Sequence, residues 1–174
     1  RARSQCEAVV DESLGPYRAL KQAVASVATP LWWVRDITLS NSMWGNRAPA
    51  LDHPRAGIHA LGGGIGQGLA MAIGAAIASS THGLARRTLA LAGDGGFMLN
   101  VGELACAVQE RAVIVILLMN DRSYGVIRNI QDDLYGSRHC YVDLHTPDFE
   151  KFCESMGAAY LRMDSPASAD ETLQ

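Results

Sequence analysis

Paired cysteines, basic runs and an apolar leader are all missing from this chain of 174 residues. Its four cysteines, Cys6, Cys106, Cys140 and Cys153, lie far apart with no C-x-x-C pair. That pattern suits neither a disulfide scaffold nor a thiolate zinc site, and it fits a reducing, cytoplasmic compartment. Fifteen Lys+Arg against 18 Asp+Glu leave a formal charge of −3. Without a basic run, a grip on the phosphate backbone of nucleic acid has no support. The amino terminus, Arg1-Ala-Arg-Ser followed by Glu7, Asp11 and Glu12, has no apolar core or cleavage pattern of a signal peptide. The histidines His53, His59, His82, His139 and His145 show no H-E-x-x-H or paired spacing, which argues against a zinc centre. No P-loop, no G-x-G-x-x-G and no G-x-S-x-G occurs.

One uncharged stretch, Ala60 to Thr81, invites comparison with a membrane span. Six of its residues are glycine, clustered at the start, and the apolar part from Ile65 to Ala78 is short for a bilayer. A buried helix behind a glycine turn is the better reading.

The length is that of one domain able to bury a sizeable core. Arg1 to Ser13 is polar and reads as the remnant of a linker. Gly15-Pro16 opens a helical pattern to about Ala28, closed by Thr29-Pro30, and Leu31 to about Asp36 reads as a strand. Trp32 and Trp33 should then point to opposite sides of it. Thr38 to Ala60 is irregular and expected to be mostly loop, with Arg47, His53 and Arg55 as possible carboxylate contacts against a plainer solvated reading. A helix to about Ser80 is followed by the strand Thr88 to Gly93, a helix over Asn100 to Gln109, and the strand Ala112 to Met119. Tyr124 to Asp133 and Pro147 to Met156 are expected helices, the latter capped by Thr146, and Ala158 to Met163 a final strand. Such alternation implies a mostly parallel sheet with helices on both faces, a three-layer α/β fold whose ligands sit at the carboxyl ends of the strands.

Two of those strands end in polar chemistry: Gly93-Asp94-Gly95-Gly96 after one, Asn120-Asp121-Arg122-Ser123 after the other. Either motif alone is an ordinary turn. At the ends of adjacent parallel strands, two carboxylates with backbone carbonyls make a site for a hard cation, which completes its shell with phosphate oxygens. Glycines beside Asp94 let phosphate approach backbone N–H groups, and the following helix turns its positive end to the same place. The residues therefore point to a magnesium-diphosphate site.

The run from Gly93-Asp94-Gly95 to Asn120-Asp121, with 27 positions from Asp94 to Asp121, resembles the fingerprint of the thiamine-diphosphate-dependent enzymes. The upstream segment Gly62 to Gly74 resembles their glycine-rich segment that receives the aminopyrimidine. The resemblance covers roughly Pro16 to Met163 and is nearest to the benzoylformate decarboxylase, benzaldehyde lyase and acetolactate synthase group. It implies the thiamine-diphosphate-binding fold, with Asp94, the Asp121 side chain and the Ser123 carbonyl on magnesium. Gly93, Gly95 and Gly96 would meet the diphosphate, with Tyr124 and Gly125 beside it. Ile65 would be the wedge that bends the cofactor, with the Gly63 carbonyl, next to Gly64, accepting from its amino group. The implied chemistry is loss of carbon dioxide from a 2-oxo acid, then protonation or addition to a second carbonyl.

Several positions depart from the family pattern. Asp121 replaces the usual second Asn and adds a negative charge. Ile127 stands where yeast-type pyruvate decarboxylases carry a glutamate, and Ile130 where acetolactate synthases carry a tryptophan. Val126, Ile127 and Ile130 would form an apolar substrate wall, or else ordinary helix core. Arg122 is placed to reach a diphosphate or a partner acid. On this reading residues 1–13 are linker and 14–174 a C-terminal cofactor-binding domain. The N-terminal pyrimidine domain, with its activating glutamate, and the middle domain lie outside this chain, which alone is inactive. The expected partners are those domains, in a homodimer or homotetramer, and a small 2-oxo acid, with no nucleic acid and no membrane. Two alternatives remain at this stage: a cofactor-free regulatory or assembly module of the same fold, and a magnesium-dependent phosphate enzyme of the doubly wound class.

Overall fold

In a computed structural model of the chain, residues 2–27, 30–47 and 49–173 are described. The strands follow from short β-rich apolar runs: β1 (Leu31–Arg35), β2 (Gly57–His59), β3 (Arg87–Gly93) and β4 (Ile114–Met119) form one sheet in the order β2-β1-β3-β4. Every pairing is parallel, with Val34 opposite Ala90 and Gly93 opposite Met119. Parallel neighbours require crossovers: α3 (Gly68–Thr81) leads from β2 to β3, and α4 (Asp94–Leu99) with α5 (Glu103–Gln109) leads from β3 to β4, while α1 (Ala2–Ser13) and α2 (Tyr17–Ser26) precede the sheet and α6 (Gly125–Tyr135), α7 (Phe149–Met156) and α8 (Ala169–Leu173) follow it.

Alternation along the strands divides the core into two layers. Leu31, Trp33, Leu89, Leu91 and Leu117 face α2 and α8, where Leu20, Ala23, Val24 and Ala169 meet them. Val34, Ala90 and Ala92 face the other way, toward α3. Alanines on both sides of that contact, Ala90 on β3 and Ala72 and Ala75 on α3, let helix and sheet approach closely. Farther along this face Phe97 and Phe149 meet edge to face with centroids 6.1 Å apart. Trp33 packs on Trp44 and donates from its indole to the Gly45 carbonyl at 2.8 Å. Trp32 lies on the opposite side, donating to Ser79 Oγ at 2.7 Å with the Arg86 guanidinium stacked over its ring.

Several local expectations change. Residues read as linker are the helix α1, whose Val10 packs on the core and whose Asp11 pairs with the buried Lys21 at 2.5 Å. Alanine, arginine, glutamine and glutamate in that segment are good helix formers, so polarity alone misled. The expected ends of α2 at Ala28 and Thr29 lie outside the described residues. The loop from Thr38 contains a π-helical turn (Asn41–Gly45) and the short strand β2. The helix expected over Asn100 to Gln109 starts at Glu103 as α5, and a separate short helix, α4, precedes it. α7 is capped by Asp148, which accepts from Lys151 N–H at 3.3 Å, and not by Thr146. Among the described residues β4 is an edge strand of the sheet, and Val113 before it and Val115 within it are 81% and 52% exposed. Residues 158–163 form no strand, and Leu161 among them is 73% exposed. Local β propensity does not make a strand without a partner ladder. Among the described residues no helix is long and apolar enough to cross a membrane.

Leu91, fully buried between the layers, should be costly to truncate. Leu91→Ala is expected to lose about 2–5 kcal/mol, read as an earlier denaturant midpoint. Leu161→Ala at the exposed position should stay within about 0.5 kcal/mol.

Candidate functional site

Parallel pairing puts the carboxyl ends of β1, β3 and β4 along one edge of the sheet, and each is followed at once or nearly so by an aspartate: Asp36, Asp94 and Asp121. Above this edge lies a cleft of about 460 Å³. The β3 turn contributes Gly93, Asp94, Gly95 and Gly96. The β4 turn and the start of α6 contribute Asn120, Asp121, Ser123, Tyr124, Gly125, Val126 and Ile127. Gly63 and Ile65 enter from the glycine-rich loop, and Ile37, Thr38, Leu39, Ser40, Met43 and Trp44 from the segment after β1.

Asp94 is 1% exposed, and its Oδ2 has no hydrogen-bond partner. Burial pushes its carboxyl above the usual carboxylate range, the charge of Asp121 adds to this, and N–H groups of Gly95 and Arg122 oppose it. An unmet acceptor on a buried carboxylate, facing a second carboxylate, is a place for a cation. The loop after β4 is shaped for this meeting. Asp121 Oδ1 accepts from Ser123 N–H at 3.0 Å, and Arg122 takes a left-handed φ of 55°. A strap from 142 to 144 holds the loop, Tyr124 N–H donating to Val142 at 2.9 Å and Leu144 N–H to Arg122 at 2.8 Å. Gly95 has to be glycine in this arrangement, because a Cβ there would lie 2.6 Å from the Tyr124 ring and 2.9 Å from Leu144. Glycine there lets the Tyr124 ring and Leu144 close directly against the β3 turn.

The structure brings most of the expected residues into one cleft. Gly64 stands aside, its carbonyl accepting from Gln67 Nε2 at 2.9 Å, and does not line it. Ile130 also does not line it, being a turn farther along α6 and 42% exposed, so the apolar wall is Val126 and Ile127. Arg47 is spent on the carbonyls of Ser42 and Met43, His53 Nδ1 accepts from Arg55 N–H, and none of the three reaches the cleft. Sequence reasoning missed the contribution of residues 37–43 and the role of Asp36, but not Trp44, one of three tryptophans expected to line a substrate channel. The available signal was a third strand ending in aspartate.

An open parallel sheet with a glycine-turned, carboxylate-lined crevice outside its carboxyl ends defines the class: a doubly wound ligand-binding domain of the kind that accepts charged cofactors. The family model described as thiamine pyrophosphate enzyme, C-terminal TPP binding domain, matches residues 39–174, and the chain belongs to that family. It is 33% identical over 136 residues to a probable acetolactate synthase large subunit of Methanococcus aeolicus, a match covering 77% of this chain and 22% of that protein. To an acetolactate synthase of Bacillus subtilis it is 34% identical over 108 residues, covering 62% and 19%. The chain thus spans about a fifth of the length of these relatives. In fold it is similar to benzoylformate decarboxylase from Polynucleobacter necessarius, with a TM-score of 0.81 at 18% identity over 91% of this chain and 30% of that one. A 4-hydroxybenzoylformate decarboxylase of Rhodococcus jostii gives 0.78 at 24% identity, over 91% and 29%.

The raised Asp94 pKa has a consequence for stability without a divalent cation. A carboxyl whose folded pKa exceeds its unfolded value stabilises the fold while protonated, and that contribution is lost as pH rises through the raised value. Wild-type protein is therefore expected to lose stability relative to Asp94→Asn as pH rises through that window, measured as the difference between their unfolding midpoints in chelator. The opposite slope would exclude burial as the dominant cause.

Proposed function

We propose that this chain supplies the magnesium and thiamine diphosphate site of a 2-oxo acid decarboxylase or carboligase, with residues 14–174 as the cofactor domain. The observation that carries this reading is the unpartnered, buried Oδ2 of Asp94 beside Asp121. On this reading Asp94, the Asp121 side chain and the Ser123 carbonyl hold magnesium. Asp121 keeps an oxygen at the place where the family resemblance expects an amide, so its extra charge strengthens the call for a cation. N–H groups of Gly95 and Gly96 receive the diphosphate, with Gly93, Tyr124 and Gly125 closing around it. The Gly63 carbonyl would accept from the amino group of the cofactor, and Ile65 would pack against its organic part from the cleft wall.

Thiamine diphosphate, when bound, would supply a thiazolium able to accept the electron pair left on the substrate's former carbonyl carbon by loss of carbon dioxide. The chain's own part is to hold and orient. Val126 and Ile127 exclude water from one side of the cleft and favour an apolar or aromatic 2-oxo acid. The structural neighbours named benzoylformate decarboxylase and 4-hydroxybenzoylformate decarboxylase support an aromatic 2-oxo acid. The activating glutamate is assigned to a part of the parent protein outside this chain, so activity belongs to the whole assembly. An apolar stripe on α6, Ile127, Ile130 and Leu134, stays 47%, 42% and 73% exposed and supports a partner domain or subunit in a homodimer or homotetramer. Four free cysteines support a reducing cytoplasm. A cofactor-free module is the weaker reading, because it leaves the charge at Asp94 uncompensated.

Calorimetry of the full-length parent should show thiamine diphosphate binding that depends on magnesium. Asp94→Asn is expected to weaken it about 10- to 100-fold, the loss of one charge-assisted contact. Binding unchanged in that variant overturns the assignment. Ile127→Ala should raise KM for an aromatic 2-oxo acid about tenfold while leaving cofactor affinity within twofold.

A further inference from the structure

Asp36 is 0% exposed, and the proposed cofactor chemistry does not use it. The family match begins at residue 39, beyond it. Its carboxylate is met by backbone. Oδ1 accepts from Ile37 N–H at 2.7 Å, both oxygens from Gly66 N–H at 3.0 and 3.1 Å, and Oδ2 from Gly68 N–H at 3.0 Å. The glycine-rich loop is thus tied to the end of β1 by a buried charge. The other side of the same residue is gripped as well, because Asn100 Nδ2, at the end of α4, donates to the Gly66 carbonyl at 2.7 Å. Gly66 itself has a φ of 93°, which a residue with a side chain rarely adopts.

Two side chains from separate elements therefore clamp Gly66, the residue immediately after Ile65. Gly96 in the β3 turn makes room for Asp36 and Ile65, since a Cβ there would come within 3.1 Å of Asp36 Oδ2 and 3.2 Å of Ile65 Cγ1. The carboxylate, the loop and the turn are in mutual contact, while Asp94 and Asp121 hang from other strand ends.

We propose that Asp36 and Asn100 are positioning residues that set Gly63 and Ile65 at the cleft, so that they govern recognition of the organic part of the ligand and not of its magnesium-diphosphate end. This rests on the reading of the site given above. The separation of the two ends makes it testable. Asp36→Asn puts an amide donor against a backbone N–H that needs an acceptor, and Asn100→Ala removes the second clamp at an exposed position where folding is not at stake.

The experiment measures dissociation constants of the full-length parent for thiamine diphosphate and for inorganic diphosphate, each with magnesium, in wild type and both variants. Amide exchange at Gly66 and Gly68 is followed alongside. Asn100→Ala is expected to weaken thiamine diphosphate about fivefold and Asp36→Asn about tenfold or more, with inorganic diphosphate within twofold and faster exchange in the loop. Equal loss for both ligands, or no loss for either, in Asn100→Ala overturns the proposal even if Asp36→Asn does not fold. Wild-type protein that binds neither ligand overturns the site reading and the proposal together, whereas wild-type binding without selectivity in the variants overturns the proposal alone.

Discussion

A carboxylate removed from water costs several kcal/mol unless donors or cations meet its oxygens. This chain buries two of them at the same edge of its sheet, Asp36 at 0% and Asp94 at 1% exposure. They are compensated in different ways. Asp36 collects backbone N–H groups from its own neighbour and from the glycine loop, and the loop is held in place by satisfying it. Asp94 keeps one oxygen unmet and faces Asp121. The first arrangement organises the protein, and the second leaves a demand that a ligand fills. The rest of the site, from the turn at Gly95 to the strap at 142–144, is arranged around that difference.

The apolar framework makes the arrangement rigid. Large side chains on one face of the sheet, Trp33, Leu89 and Leu91, pack against α2 and α8, while alanines on the other face bring α3 close. Because α3 starts at Gly68, whose N–H binds Asp36, close packing of α3 and placement of the glycine loop are one constraint seen from two ends. Trp44 joins the core to the cleft: it packs on Trp33 and also lines the pocket. By contrast, Val113, Val115, Ile130, Leu134 and Leu161 face outward, along the edge of β4, the outer side of α6 and the segment after α7.

The class of fold and the cofactor were legible early because they rest on short-range facts. β3 and β4 are apolar runs that end in glycine-aspartate and asparagine-aspartate turns, and the spacing between those turns is the length of a crossover. What was not legible depended on partners distant in sequence. Residues 2–13 looked like linker, although Val10 has a core to pack against. Residues 158–163 looked like a strand, but no ladder pairs with them. Ile130 looked like part of the substrate wall, and the direction of α6 puts it outside the cleft.

By itself the sequence determined which chemistry is available: carboxylates and glycines at strand ends, an apolar helix start beyond them, and no competing phosphate or metal motif. The tertiary structure decided which of these groups meet. Asp36, Gly66 and Asn100 are 30 or more residues apart, at positions whose spacing obeys no local period. Only the parallel pairing of β1 with β3 brings their elements to one edge. Hydrogen bonds between backbone of one segment and side chains of another leave no periodic trace in sequence, and so the clamp on the glycine loop becomes visible only in three dimensions.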